Sequence, residues 1–324
     1  MPDWSYHPAI KPALMSTLAG ENARRVTMAL MKFQAATPVG RALFRWFART
    51  QRPTSFPADK QVALWGLHFP SPIGLAPGID VEGNALALWP DLLFGFLQVG
   101  PMSVRARAYR YSTGSQRLSD YHGIVTHKES GCPGVGVLEQ RLRQNLCKNV
   151  PIGVYLDEAN PCEALVALED CADFFSVHMA CADDPYLLTQ LRASTQKPLL
   201  LRLLLERDIP QLHYAVAQAV AYGFDGAVVA YGGEFKPIPG SLLHGPHLRD
   251  EALTLVSSLA QKYGDSFPLI GAGGILTPTD ACAFLAAGAK LVELFEGLVY
   301  AGPGLPKRIL QNLALPLTKE THLA

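Results

Sequence analysis

Eight short apolar runs recur along this chain, at residues 73–76, 96–99, 152–156, 174–179, 199–203, 226–230, 269–272 and 291–295. Each ends in a glycine-rich or polar turn and is followed by sequence of helical character. A strand buried on both faces reads as a continuous apolar run, and strands that alternate with helices pair in parallel through crossover connections. Eight such units in succession predict an α/β protein, a (β/α)8 TIM barrel. A doubly wound open sheet is the runner-up; it calls for a GxGxxG turn after its first strand, and Ala76-Pro-Gly-Ile-Asp80 stands there instead. With 324 residues, 49% hydrophobic and 17% charged, the chain can build one large domain with an appendage.

The appendage is expected at the N-terminus, a helical segment over 1–52 preceding a barrel over 53–324. Pro53-Thr-Ser-Phe-Pro57 reads as the linker, since two prolines around polar residues disfavour helix and strand alike. Residues 6–15 suit a short helix, and residues 22–33 place Val26, Leu30 and Phe33 on one helical face. From Glu21 to Arg52 seven basic residues (Arg24, Arg25, Lys32, Arg41, Arg45, Arg49, Arg52) face one acid, beside Phe44, Trp46 and Phe47. Two readings stay open: a basic amphipathic surface that associates weakly with an anionic membrane, or a solvated charged face with its aromatics packed on the barrel. The second is the expected one.

The 28 basic and 28 acidic residues cancel, so no overall charge draws the chain to nucleic acid. None of the six cysteines forms a CxxC pair and no signal-peptide pattern opens the chain. Reduced thiols in a cytoplasmic protein, peripheral to the inner face of the membrane at most, are expected. No apolar run approaches the roughly 18 residues of a spanning helix. The His, Asp and Cys of the loops lack HxH or HxxxH spacing, so no metal is expected.

Chemistry in a barrel belongs at the C-terminal ends of its strands. The polar residues there are Asp80, Gln98, Tyr155, Asp157, His178, Cys181, Asp183, Arg202, Tyr231, His244 and Glu296. Pro268-Leu-Ile-Gly-Ala-Gly-Gly-Ile275 runs from a strand through paired glycines to the helix start at Thr277-Pro-Thr-Asp280. Gly273 and Gly274 can take positive φ and turn their amides to an anion, and Gly297 after the last strand can add another. This is a candidate phosphate seat; the alternative is that the glycines only tighten turns.

Several of these stretches resemble the dihydroorotate dehydrogenases, specifically the membrane-associated, quinone-using class. Ser71-Pro-Ile-Gly-Leu-Ala-Pro-Gly-Ile-Asp-Val-Glu-Gly83 is similar to the family's first-strand motif and Gly95-Phe-Leu-Gln-Val-Gly100 to its second. The likeness continues through Gly223-Phe-Asp-Gly226, the GAGGI stretch, Ala287-Gly-Ala-Lys-Leu-Val and Phe295-Glu-Gly297. It implies the barrel, FMN on the glycine seat, and an N-terminal helix pair that admits a quinone or another apolar tail.

The ligands that the resemblance implies are largely replaced. Val81 stands at a lysine that contacts flavin and substrate, and Lys128, Pro133 and Gly134 at asparagines that pin the substrate ring. Tyr155, His178 and Tyr231 replace further asparagines, and Arg202 a flavin-binding lysine. Glu296 takes the place of a small hydroxyl residue beside the seat. A carboxylate about 4 Å from a phosphate oxygen costs on the order of 4 kcal/mol at an effective dielectric of 20. The loop that carries the family's general base reads His178-Met-Ala-Cys-Ala-Asp-Asp-Pro185, which makes Cys181 either a base or nucleophile, or an inert buried thiol.

The resulting expectation is a barrel that no longer oxidises dihydroorotate and acts without a cofactor on a small anionic metabolite. Cys181, His178 and Tyr155 would be its catalytic groups; Arg202, Lys128, Tyr231 and Asp80 its substrate contacts; and Gly273, Gly274 and Gly297 its phosphate seat. An FMN-dependent oxidoreductase with another substrate and a non-catalytic binding or scaffold protein are the alternatives.

Overall fold

The computed structural model describes residues 20–48, 56, 58–107, 116–118, 122–127, 131–144, 149–156, 160–229 and 232–313. The helix expected at 6–15 lies outside them, as does the linker but for Phe56. Eight parallel strands close a barrel: β3 (Ile73–Leu75), β4 (Phe96–Met102), β7 (Ile152–Leu156), β8 (Phe174–His178), β9 (Leu199–Leu203), β10 (Gly226–Val229), β13 (Leu269–Ala272) and β14 (Leu291–Leu294), with β14 pairing back onto β3. These are the eight apolar runs of the sequence, so the TIM-barrel reading holds. The open sheet is excluded by the β14–β3 pairing.

Side-chain size divides the barrel into a floor and a polar layer. Phe96 and Phe174 fill the floor, where Gly74 and Gly153 leave room for their rings. A Cβ on Gly74 would stand 2.1 Å from Phe96 Cζ, and one on Gly153 2.3 Å from Phe174 Cζ. The hairpin β1 (Val62–Leu64) to β2 (Leu67–Phe69) packs against this floor. Its two-residue turn puts Trp65 and Gly66 at φ 53° and 74°, the pair of positive angles that matches strand twist. The Trp65 indole donates to the Asp225 carbonyl (2.8 Å), and Phe69 packs edge-on against Phe96. Toward the C-terminal ends the inward residues become Gln98, Tyr155, Ser176, His178, Arg202 and Glu293.

Helices α3 (Val135–Gln144), α4 (Pro161–Leu168), α5 (Pro185–Ala193), α6 (Ile209–Ala221), α7 (Arg249–Tyr263) and α8 (Pro278–Ala286) lie outside the barrel. Short α9 (Glu296–Tyr300) and α10 (Leu305–Asn312) complete it. A small antiparallel sheet ordered β11 (Gly233–Glu234), β12 (Ser241–His244), β6 (Gly123–His127), β5 (Gln116–Leu118) belongs to the loops. It grips α9: the Tyr300 hydroxyl donates to the Gly123 carbonyl (2.8 Å) and the Arg117 guanidinium lies 4.4 Å from the Tyr300 ring.

The N-terminal pair, α1 (Gly20–Ala35) and α2 (Pro38–Ala48), packs together and touches β5. Met28 and Met31 turn inward, whereas Leu30 and Phe33 of the expected apolar face are exposed, Phe33 by 74%. Phe44 packs on the core, but Trp46 is 76% exposed and not packed on the barrel as the favoured reading expected; the Phe47 side chain lies outside the described residues. Among the described residues no helix is long and apolar enough to cross a membrane.

Candidate functional site

Arg202 is the centre of the polar layer. Its Nη2 donates to Glu293 Oε2 across the barrel (2.8 Å) and to Gln98 Oε1 (2.9 Å), which also accepts from Ser176 Oγ (2.9 Å). The guanidinium lies 5.1 Å from the Tyr155 ring centroid, near enough for a cation–π attraction. Arg202 is 5% exposed and Glu293 fully buried. Burial pushes the Glu293 carboxyl up, against the pull of Arg202. The expected substrate anchor is thus already charge-balanced from within. Among the described residues Gln98 Nε2, Arg202 Nε and Glu293 Oε1 find no hydrogen-bond partner. Glu293 was not singled out from sequence, although an acid inside the run Leu291-Val-Glu-Leu294 is a signal, since a buried carboxyl persists only with a partner.

Tyr155 and His178 join Arg202 at one end of neighbouring strands, with His178 directly beside Arg202 in register. His178 Nδ1 accepts from the Ala180 amide (3.1 Å), so the neutral ring carries its proton on Nε2. Cys181 follows in a 3-10 turn, Met179–Asp183, and is 3% exposed. Asp183 is drawn away by Arg207, whose Nη1 donates to it at 2.9 Å and which holds its carboxyl below the usual range.

Asp80 stands apart from this group. Its carboxylate is fully buried and accepts from the amides of Asn84 (2.7 Å) and Ala85 (2.8 Å) and the Trp89 indole (3.0 Å), which organises the loop after β3. Burial raises its pKa, against those hydrogen bonds and the field of Arg141. The adjacent Val81 is buried in the core. Lys128 and Tyr231 lie outside the described residues.

The glycine turn has the expected backbone, with Gly273 at φ 95° and Gly274 at φ 60°. What meets it is Glu296, 1% exposed, whose Oε2 accepts from the Gly274 amide (3.3 Å) and whose Oε1 is buried without a partner among the described residues. Burial raises the Glu296 carboxyl to about 7, against its own backbone N–H and that of Gly274. The next amides are also taken: Asp280 Oδ2 accepts from Leu276 (3.0 Å) and Thr277 (2.8 Å) in a capping box at the start of α8. Gly297 is set by packing, since a Cβ there would lie 2.2 Å from the Ile275 carbonyl oxygen. Among the described residues no three His, Cys, Asp or Glu side chains gather as a metal site.

A family model described as Dihydroorotate dehydrogenase matches residues 236–317. The chain is 31% identical over 292 residues to a Dihydroorotate dehydrogenase (quinone) of Synechococcus sp. (strain JA-3-3Ab), covering 78% of each chain. It is 27% identical to one of Mycobacterium marinum, covering 93% of this chain and 91% of that one. Among solved structures, DHODH from Eimeria tenella in complex with ferulenol superposes with a TM-score of 0.73 at 19% identity, over 86% of this chain and 90% of that one.

Proposed function

This chain belongs to the dihydroorotate dehydrogenase family, and we propose that within it the barrel acts without flavin on a small metabolite bearing a single anionic group. The observation that carries this reading is the buried Arg202–Glu293 ion pair. Both cations that the resemblance assigns to flavin are lost to it, one replaced by buried Val81 and the other balanced by Glu293. A flavin phosphate would further meet the buried Glu296 carboxylate at the Gly274 amide. The residues present do not fit FMN.

What remains at the mouth suits proton transfer on a small polar ligand. Arg202 is the contact offered to one carboxylate-like group. With Glu293 already balancing the guanidinium, the ligand's anionic group meets Arg202 as a hydrogen-bond acceptor and not as its counter-ion, and a second negative charge would add further uncompensated charge. His178, with its Nε2 proton, and Tyr155 are the acid–base pair, and Cys181 is the nucleophile only if its turn opens. A second reading, binding without chemistry, is favoured by the burial of Cys181.

The exposed Leu30, Phe33, Val39, Leu43 and Trp46 of α1 and α2 support a weak, peripheral contact with membrane or with an apolar tail. The cytoplasmic assignment is part of the same proposal, as is the division at 52.

The test is the visible spectrum of freshly purified protein, before and after incubation with FMN. A colourless protein that stays colourless and does not oxidise dihydroorotate is the expected result. A yellow protein that bleaches on dihydroorotate would overturn the reading.

A further inference from the structure

The glycine turn is built as an anion seat, yet its free donor is given to a side chain of the protein itself. Positive φ at two successive glycines turns the Gly274 amide inward, and the only described acceptor on it is Glu296 Oε2 at 3.3 Å. The Glu296 carboxyl also feels its own backbone N–H, so it gathers two amides that follow the paired strands β13 and β14. Its second oxygen, Oε1, is buried and makes no hydrogen bond among the described residues. A carboxyl group with one of its two oxygens buried and unsatisfied is a poor structural strut, because an orphaned buried acceptor costs stability. It does, however, place two acidic oxygens where those of an oxyanion would sit. The neighbouring donors at Leu276 and Thr277 are occupied by Asp280, so the turn is filled by carboxylates of the chain.

We infer that Glu296 is a tethered occupant of a latent phosphomonoester site, and that this one side chain, not loss of the glycine turn, keeps phosphate esters out. The inference goes beyond the reading of the barrel as flavin-free: it says which residue closes the seat and what opens it. Glu296→Thr removes the charge and the occupying oxygens together and leaves Gly273, Gly274 and Gly297 in place. Glu296→Gln removes the charge but keeps an oxygen on the Gly274 amide.

The experiment titrates FMN and riboflavin, which differ only in the phosphate, into the full-length unaltered protein and the two variants, following flavin fluorescence. Thermal melts establish that each variant is folded. Glu296→Thr is expected to bind FMN at least tenfold tighter than the unaltered protein, with riboflavin unchanged and inorganic phosphate competing. Glu296→Gln is expected to gain less. No gain in folded Glu296→Thr, an equal gain for riboflavin, or a gain in Glu296→Gln as large as in Glu296→Thr would overturn the inference while leaving the flavin-free reading intact. Should Glu296→Thr fail to fold, Glu296→Ser carries the same comparison. Micromolar FMN binding by the unaltered protein would sink both.

Discussion

A guanidinium and a carboxylate enclosed together inside a barrel are stable only as a pair, because either one alone bears the cost of leaving water. Arg202→Met is therefore expected to cost about 3–5 kcal/mol in denaturant unfolding, and Glu293→Gln a similar amount. The double variant Arg202→Met/Glu293→Gln should recover much of that loss, since no buried charge is left without its partner. Additive losses would show that the pair is not coupled. Glu296 supplies a pH signature of its own. Its carboxyl rises from the ordinary 4.5 to about 7 on burial, so the folded state favours the proton. Stability from this group is complete below about pH 4.5 and falls as pH rises through 7, with a total of about 3 kcal/mol for a shift of this size. Melts at pH 5 and pH 8 should separate the unaltered protein from Glu296→Gln, which lacks this contribution; parallel pH profiles would contradict the assignment.

Elements differ in how plainly the chain announces them. The eight barrel strands were legible because strands buried on both faces must be apolar throughout, and the runs at 73–76 through 291–295 are. The β1–β2 hairpin and the sheet β11-β12-β6-β5 were not, since strands of two to five residues leave little periodicity to read. Helix α1 was legible as a helix, but not which side it buries: Met28 and Met31 go inward and Leu30 and Phe33 face out. That outward face, continued by Val39, Leu43 and Trp46 on α2 and accompanied by Lys32 and Arg41, makes a specific prediction. The protein should float weakly with anionic liposomes, less at high salt, and Phe33→Ser/Trp46→Ser should abolish flotation. Flotation that is absent at low ionic strength, or unchanged in the double variant, would make the helix pair an ordinary protein surface.

For the molecule as a whole, the fold and the site diverge in what preserves them. Phe96 and Phe174 fill the floor, where Gly74 and Gly153 leave room for their rings, and the polar mouth residues form a separate layer. The site was legible only in outline. Strand ends pointed to Tyr155, His178 and Arg202, and these do converge. Spacing alone said nothing of Glu293, which reaches Arg202 from three strand positions around the closed barrel, a proximity that exists only in three dimensions. It likewise placed Asp80 at the mouth without showing that its own loop consumes the carboxylate. The central claim is that neutralising Arg202 and seating Glu296 on the glycine turn together leave this family member without a place for flavin. Calorimetric titration of FMN into the unaltered protein tests it most directly. The account predicts no binding tighter than the millimolar range, and a micromolar dissociation constant would contradict it.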